Sequence, residues 1–236
     1  MSDSRVIVLT GGTGGLGTAV VKRLAGQDYR FAVTYLVPEE ARRFEKEVGV
    51  EEDRLMLSRV DATNSSEIAG FFQQVVERFG AVHVVCSLVG GWAGGRDVEE
   101  TDDVRFDRMI DVNLRSAFST VRAAVPHLKK TGWGRILLVG SRAAVEAPAG
   151  QAAFNVAKAG VAVLGMTVAQ ELEGTGVTAN VIVPSVIDTP ATRRALPFAD
   201  YIDWPTPDEI AAVIDFTLSD DSAVISGALI PVYGRT

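Results

Sequence analysis

Three residues have the types and the spacing that proton and hydride chemistry requires. Ser141 precedes position 154 by 13 residues, and Lys158 follows it by four. A serine hydroxyl can polarise a carbonyl oxygen, and a lysine can tune a neighbouring acid, but the acid itself must stand beside the hydride donor. The spacing gives that place to position 154, where Phe154 has no proton to release. The pattern therefore predicts a carbonyl reductase site whose proton donor is missing.

The helical spacing supports a site in preference to isolated polar residues. Positions 154 and 158 are one helical turn apart, so both side chains lie on the same helix face. A serine that follows an apolar run most often caps a turn, as Ser141 could after residues 136–139. Its fixed distance from Phe154 and Lys158 favours a site role.

A glycine-rich segment follows the first apolar run. Glycines here let the backbone turn tightly and approach a pyrophosphate, while the next helix supplies amide hydrogens. The segment satisfies both G-x-G-x-x-G and T-G-x-x-x-G-x-G, so the sequence leaves the register open. The predicted cofactor-binding residues in it are Thr10, Gly11, Thr13, Gly15, Leu16 and Gly17.

The residue after the second strand sets which dinucleotide is favoured. A carboxylate there accepts hydrogen bonds from the ribose of NAD, and its absence leaves room for the phosphate of NADP. The chain has Tyr35 and Leu36 at these positions. We therefore predict NADP(H) in preference to NAD(H).

The elements that must position these residues alternate between strand-like and helix-like runs. The pattern predicts an α/β fold, a single Rossmann-like domain over residues 1–236, with a doubly wound parallel sheet of about seven strands and helices on both faces. Strands are predicted at 6–10, 31–36, 55–60, 82–87, 135–140, 178–183 and 228–232. Helices are predicted at 16–25, 39–48, about 65–79, 103–130, 152–172 and 208–218, and residues 188–207 are predicted to form an irregular lid.

Composition excludes several classes of protein. The formal charge of −7 argues against nucleic acid and against an anionic membrane surface as partners. No segment is expected to span a membrane, and no leader peptide is expected, so the predicted location is the cytoplasm. Cys86 lies in an apolar run and is predicted to be buried, and no residues have metal-ligand spacing.

With these motifs in place, the chain resembles the short-chain dehydrogenase/reductase family from the glycine segment to the last strand. Residues at the family positions carry the resemblance. In addition to those already named, they are Asp61, Gly90, Asn113, Pro184 and Thr189. The resemblance implies an NAD(P)-dependent oxidoreductase that acts on a small carbonyl or alcohol substrate.

The resemblance also implies a role for each position. Asp61 would hydrogen-bond near the adenine ring of the dinucleotide. Thr189 would hold the carboxamide of the nicotinamide, and Pro184 would shape the turn above it. Asn113 would support a water chain to Lys158, which would bind the ribose. Homotetramers or homodimers built on the two long helices are implied as well.

Position 154 departs from the family, which has tyrosine there. Three explanations remain open: a reductase that is disabled, either naturally or by an engineered Tyr→Phe change; a non-catalytic nucleotide-binding sensor or assembly subunit; or a reductase of an activated quinonoid or iminium substrate. Retention of Asn113, Ser141 and Lys158 favours the disabled reductase.

Three aromatic residues are predicted to line the substrate pocket, because they lie in loops after strand ends. They are Trp92, Tyr201 and Trp204. Tyr201 is also the nearby phenol that could replace the missing acid. The segments around Trp92 and Trp204 are similar to those of dihydropteridine reductases, which we interpret as shared loop architecture.

Overall fold

Seven strands run through the computed structural model, which describes residues 4–235. They are β1 (Arg5–Thr10), β2 (Tyr29–Tyr35), β3 (Leu55–Arg59), β4 (Val84–Ser87), β5 (Gly134–Val139), β6 (Val177–Pro184) and β7 (Leu229–Val232). All neighbours pair in parallel, in the order β3-β2-β1-β4-β5-β6-β7. The predicted Rossmann-like α/β fold is confirmed. The predicted domain also includes residues 1–3 and 236, which lie outside the described residues.

Helices cover both faces of the sheet. They are α1 (Gly15–Leu24), α2 (Pro38–Val48), α3 (Ser65–Phe79), α4 (Asp103–Met109), α5 (Ser116–Thr131), α6 (Ala143–Glu146), α7 (Ala152–Glu171), α8 (Pro190–Ala195) and α9 (Pro207–Leu218). One apolar core forms between the sheet and α3, α5 and α7, and the other forms against α1, α2 and α9. The central strands are buried on both faces, which explains why they read as continuous apolar runs, whereas β7 at the edge is partly exposed.

Local sequence signals fix several helix starts. Asn64 accepts hydrogen bonds from the backbone amides of Ser66 and Glu67 at the start of α3. Thr206 and Glu209 form a reciprocal capping box at the start of α9. Pro38 begins α2 because its fixed φ suits the first helical turn.

The predicted helix over residues 103–130 is wrong in one respect. It is divided into α4 and α5 by a π-helical segment, Ile110–Arg115. The side-chain amide of Asn113 in this segment donates to the carbonyl oxygen of Met109, 3.0 Å away. Because the side chain bonds to a carbonyl of the preceding turn, the backbone hydrogen bonds here have the wider spacing of a π-helix. Such π-helical segments often lie at functional sites.

The lid, residues 188–207, is less irregular than predicted. Its four prolines suggested no regular structure, but Pro190 occupies the first turn of α8, where proline is tolerated. Thr189 caps this helix by accepting a hydrogen bond from the amide of Thr192 at 3.1 Å. The short helix α6 was also absent from the prediction.

The expectation that no segment has the length and hydropathy of a membrane span is wrong for helix α7. Its 20 residues are long and apolar enough by length and composition alone. The helix packs against β6 and β5 and carries the buried Lys158, however, which is the environment of a core helix.

Candidate functional site

The carboxyl ends of four neighbouring strands bring the predicted site residues to one edge of the sheet. Thr10 ends β1 and pairs in register with Ser87 at the end of β4. Val139 ends β5 and pairs with Ile182, two residues before Pro184. Strands β1 to β3 are added toward one side of the sheet, and β4 to β7 are added toward the other side. Doubly wound folds bind ligands at this switch point, between β1 and β4.

The glycine segment forms a close turn in which several positions have no room for a side chain. A Cβ on Gly17 would lie 2.2 Å from the carbonyl oxygen of Gly12, and one on Gly11, at φ +69°, would lie 2.7 Å from Val89. A Cβ on Gly15 would lie 3.0 Å from Thr189, whereas one on Gly14 would meet nothing closer than 3.6 Å. A Cβ on Gly12 would lie 2.7 Å from Cγ1 of Val33, so position 12 must be small as well, and each of the two patterns contains positions that must be small.

The start of α1 fits a dinucleotide pyrophosphate. Gly14 precedes the helix without a side-chain cap, and the first turn contains no acidic residue. Unpaired amides with positive helix-end potential favour an anion. Behind this turn the amide of Gly11 donates to the hydroxyl of Thr34 at 2.9 Å, which anchors the loop to β2.

Ser141 follows β5 and is 9% exposed. Its Oγ accepts a hydrogen bond from the amide of Ala143 at 3.2 Å, so the hydroxyl hydrogen stays available to a further acceptor. The next residue, Arg142, donates its amide to the carbonyl of Pro184 at 2.8 Å. This bond ties the turn after β5 to the end of β6.

Phe154 lies on the first turn of α7 and is 8% exposed. Its ring belongs to an apolar cluster with Met109 and Ala153, and Ala93 and Ala143 pack against this cluster. Position 154 therefore contributes apolar surface to the site where an acid was expected.

Lys158 is buried on the same side of α7, with 6% exposure. Its ammonium donates to the carbonyl oxygen of Val139 at 2.8 Å, and burial lowers the pKa of this lysine to about 8. A Cβ on Gly90 would lie 3.2 Å from Nζ of Lys158 and 3.1 Å from Oδ1 of Asn113. Glycine at position 90 thus allows these two side chains to come close together.

Asn113 is 1% exposed and makes three hydrogen bonds to the backbone. It accepts from the amide of Gly91 at 3.1 Å, and it donates to the carbonyl of Gly91 at 2.9 Å and to that of Met109. The loop after β4 is therefore fixed to the π-helical segment.

The remaining predicted cofactor residues lie along the same edge of the sheet. Thr13 lies in the loop before α1, and Leu16 lies in the first turn of that helix. Tyr35 ends β2, and Leu36 follows it. Asp61 follows β3, and its Oδ1 accepts from both the amide and the hydroxyl of Thr63 at 2.9 and 2.7 Å. One oxygen of this carboxylate is thus already engaged in a local turn.

The three predicted pocket aromatics lie in two separate loops. Trp92 is 51% exposed, and its Nε1 donates to Oε1 of Gln151 at 2.6 Å, just before α7. Tyr201 and Trp204 pack together in the lid with ring centroids 5.7 Å apart, and the guanidinium of Arg193 lies 4.3 Å from the Tyr201 ring. The cluster that holds Phe154 does not include Tyr201.

Sequence reasoning missed the partners that come from other elements. Met109 packs beside Phe154, and Gln151 holds Trp92. Arg43 on α2 places Nη2 3.5 Å from the carbonyl of Thr13. Arg43 is the exception among these, because its helix follows the strand that ends near the ribose and the sequence alone indicates that Arg42 and Arg43 could reach toward a phosphate. The contacts of Met109 and Gln151 depend on tertiary structure alone.

A concavity of about 890 Å³ lies at the opposite end of the sheet, at the amino ends of β5 and β6. Arg135 in its wall stacks on Trp133 and donates to the carbonyl of Ser219. Ligands of parallel sheets bind at the carboxyl ends of the strands, so the candidate site remains the edge described above.

Comparison with known proteins agrees with this geometry. The family model described as short chain dehydrogenase matches residues 5–198. The chain is 34% identical over 239 residues to the 3-oxoacyl-[acyl-carrier-protein] reductase MabA of Mycobacterium tuberculosis, covering 98% of this chain and 92% of that protein. It is 35% identical over 199 residues to the D-beta-hydroxybutyrate dehydrogenase of Rhizobium meliloti, covering 82% and 76%. A mutant of a Serratia marcescens short-chain dehydrogenase/reductase superposes with a TM-score of 0.89 at 26% identity, covering 98% and 97%.

Proposed function

The chain belongs to the short-chain dehydrogenase family, and we propose that it is a reductase of small carbonyl compounds whose turnover is slowed by Phe154. Its coarse activity, that of an NAD(P)-dependent oxidoreductase, follows from the family. The observation that carries the proposal is the arrangement around α7. Ser141 and Lys158 are both buried, and Phe154, one helical turn before Lys158, lies in an apolar cluster at the position where the family has its acid.

The residues present fit a dinucleotide. The turn of Gly11, Gly15 and Gly17, with the open start of α1, would hold the pyrophosphate. Thr189 lies against this turn, and Lys158 lies nearby at Gly90, so both suit the nicotinamide end. A bound dinucleotide would supply the hydride.

The chain's own residues would position the substrate. The Ser141 hydroxyl has a free hydrogen for the carbonyl oxygen, and its orientation is held by the amide of Ala143. Phe154 and Met109 would exclude water from that oxygen. General acid catalysis contributes about 10²–10⁴-fold, so loss of the hydroxyl at position 154 leaves binding intact and chemistry slow.

We propose NADP(H) as the preferred cofactor. No carboxylate follows β2, and two arginines lie near its end. Arg43 approaches the carbonyl of Thr13, and Nε of Arg59 lies 3.4 Å from the carbonyl of Leu36. Guanidinium groups form strong, charge-assisted hydrogen bonds with phosphate.

The relatives support a choice of substrates. They are named for 3-oxoacyl groups and for 3-hydroxybutyrate, so a 3-oxoacyl thioester and acetoacetate are the first compounds to assay. We propose that the protein works as one domain, because one sheet runs through the described residues. Its location in the cytoplasm stays a prediction.

Phe154→Tyr tests the proposal. We expect reduction of a 3-oxoacyl thioester or a simple ketone by NADPH or NADH to rise at least about 100-fold, because the variant restores an acid beside the carbonyl. Phe79→Tyr is a matched change at the last residue of α3, which leads into the amino end of β4 and is thus away from the site at the carboxyl ends of the strands; it should leave the rate unchanged.

The alternatives appear as different outcomes of this assay. Dinucleotide binding by calorimetry with no reduction by Phe154→Tyr would contradict the proposal and favour a nucleotide-binding sensor. Reduction of quinonoid or iminium compounds by the unaltered protein, with no gain from tyrosine, would favour the activated-substrate reductase.

A further inference from the structure

The buried amine of Lys158 lies on the same helix face as Phe154, the residue that lacks a proton to donate. It is one helical turn from Phe154 on α7, and it is fixed to the end of β5 by its bond to the carbonyl of Val139. Nζ also lies beside Gly90, close to Oδ1 of Asn113. An ammonium group has three hydrogens, so this single bond leaves two for other acceptors.

The other polar groups at the site do not release a proton readily. The Ser141 hydroxyl can hydrogen-bond an oxyanion but does not neutralise it. Both amide hydrogens of Asn113 are engaged by the carbonyls of Gly91 and Met109. Tyr201 packs in the lid against Trp204 and Arg193. Lys158 is the site residue with an ammonium group, which can give up a proton and become a neutral amine.

The electrostatic surroundings keep that proton available. Burial, with no carboxylate contribution, lowers the pKa of Lys158 to about 8. Most charged groups on the elements around it form ion pairs with each other: Asp111 with Arg115, Arg142 with Glu146 and Asp188 with Arg193. Two others lie at the far ends of their elements, Arg135 at the start of β5 and Glu171 at the end of α7. Residues 87–92 contain no titratable side chain.

We propose that Lys158 itself supplies the proton of the reduction, in place of the hydroxyl that position 154 lacks. This inference rests on the proposed function. The hydride comes from the reduced dinucleotide, which is oxidised, and it adds to the carbonyl carbon while the π electrons move to oxygen. An N–H bond of the ammonium breaks and an O–H bond forms, which gives the alcohol and a neutral amine. The amine regains its proton from solvent.

Lys158→Arg separates the proton from the positive charge. Arginine stays charged and does not give up its proton, so reduction should fall at least about 100-fold while dinucleotide binding by calorimetry changes much less. Lys129→Arg, at an exposed position of α5, is the matched control and should change neither value. Reduction by Lys158→Arg at the parental rate would overturn the proposal.

The pH profile gives a second, independent measurement. The ammonium is the active form, so kcat/KM of the unaltered protein should fall about tenfold per unit as the pH rises above the pKa of Lys158. That pKa is measured without substrate by NMR of the five lysines labelled at Nζ. A profile that stays flat through the measured titration would overturn the proposal even if Lys158→Arg failed to bind or fold.

Failure of this inference can be told apart from failure of the proposed function. If Phe154→Tyr reduces the substrate and the unaltered protein shows no measurable rate, the reductase assignment stands and the role of Lys158 is wrong. If neither protein reduces any compound while both bind dinucleotide, the reductase assignment itself is wrong.

Discussion

The free-energy cost of a buried lysine is informative at the scale of single residues. Desolvation disfavours the charged form, and one bond to Val139 offsets that cost only in part. A structural role at this position in the core would be met by an apolar side chain of similar length. The chain keeps a buried amine beside Phe154, which supports a role for the amine at the site that does not depend on a neighbouring phenol.

Arg43 is expected to discriminate between the two dinucleotides. Its guanidinium lies near the carbonyl of Thr13, at the end of the site where no carboxylate follows β2. Arg43→Ala should weaken NADP binding about tenfold, or about 1.4 kcal/mol, because one charge-assisted bond to the phosphate is lost. NAD binding, which lacks that phosphate, should stay unchanged in the same calorimetric titration.

Arg42 provides the comparison on the same helix. It pairs with Glu39 at 2.7 Å on the exposed side of α2, so Arg42→Ala should leave both affinities as they were. Equal weakening of NAD and NADP by Arg43→Ala would show that Arg43 supports the loop and does not read the phosphate.

At the scale of elements, the turn between β1 and α1 depends on one backbone contact. A Cβ on Gly17 would lie 2.2 Å from the carbonyl of Gly12, so Gly17→Ala must push the helix start away from the turn. We expect a loss of about 1–3 kcal/mol in the free energy of unfolding and loss of measurable dinucleotide binding. Denaturant melts and calorimetry measure these two effects.

Gly26 is the matched glycine for that experiment. It follows α1, and a Cβ there would meet nothing within 4 Å. Gly26→Ala should therefore keep both stability and binding. Undiminished binding by Gly17→Ala would contradict the assignment of the turn as the pyrophosphate site.

The strands and the longer helices were predictable because their signals are local. Apolar runs give the buried strands, and Asn64 and Pro38 mark helix starts through their own backbone preferences. The π-helical segment was not predictable in this way. The side chain of Asn113, which bonds to Met109 in this segment, is also held by Gly91, and Gly91 is 22 positions away in the chain. The same reason explains why the triad residues were found from spacing, whereas Met109 and Gln151 were not.

At the scale of the whole molecule, the two long helices leave apolar surface without cover. Phe118 on α5 and Val156 and Val163 on α7 are exposed large hydrophobic residues on the face of the sheet that these helices cover. Only 44% of the apolar stretch of α7 is buried. A helix that is apolar on all sides normally has its second face covered as well, and exposed apolar patches commonly mark interfaces.

We therefore expect a homodimer or homotetramer built on α5 and α7. Val163→Glu places a charge in that surface, so it should lower the mass measured by light scattering from a multiple of 25.1 kDa toward 25.1 kDa. Val37→Glu, a change of another exposed valine, before α2 on the opposite face, should keep the mass of the unaltered protein. A single-chain mass for the unaltered protein would show that this apolar surface has another use, while an unchanged multiple in Val163→Glu would place the interface elsewhere.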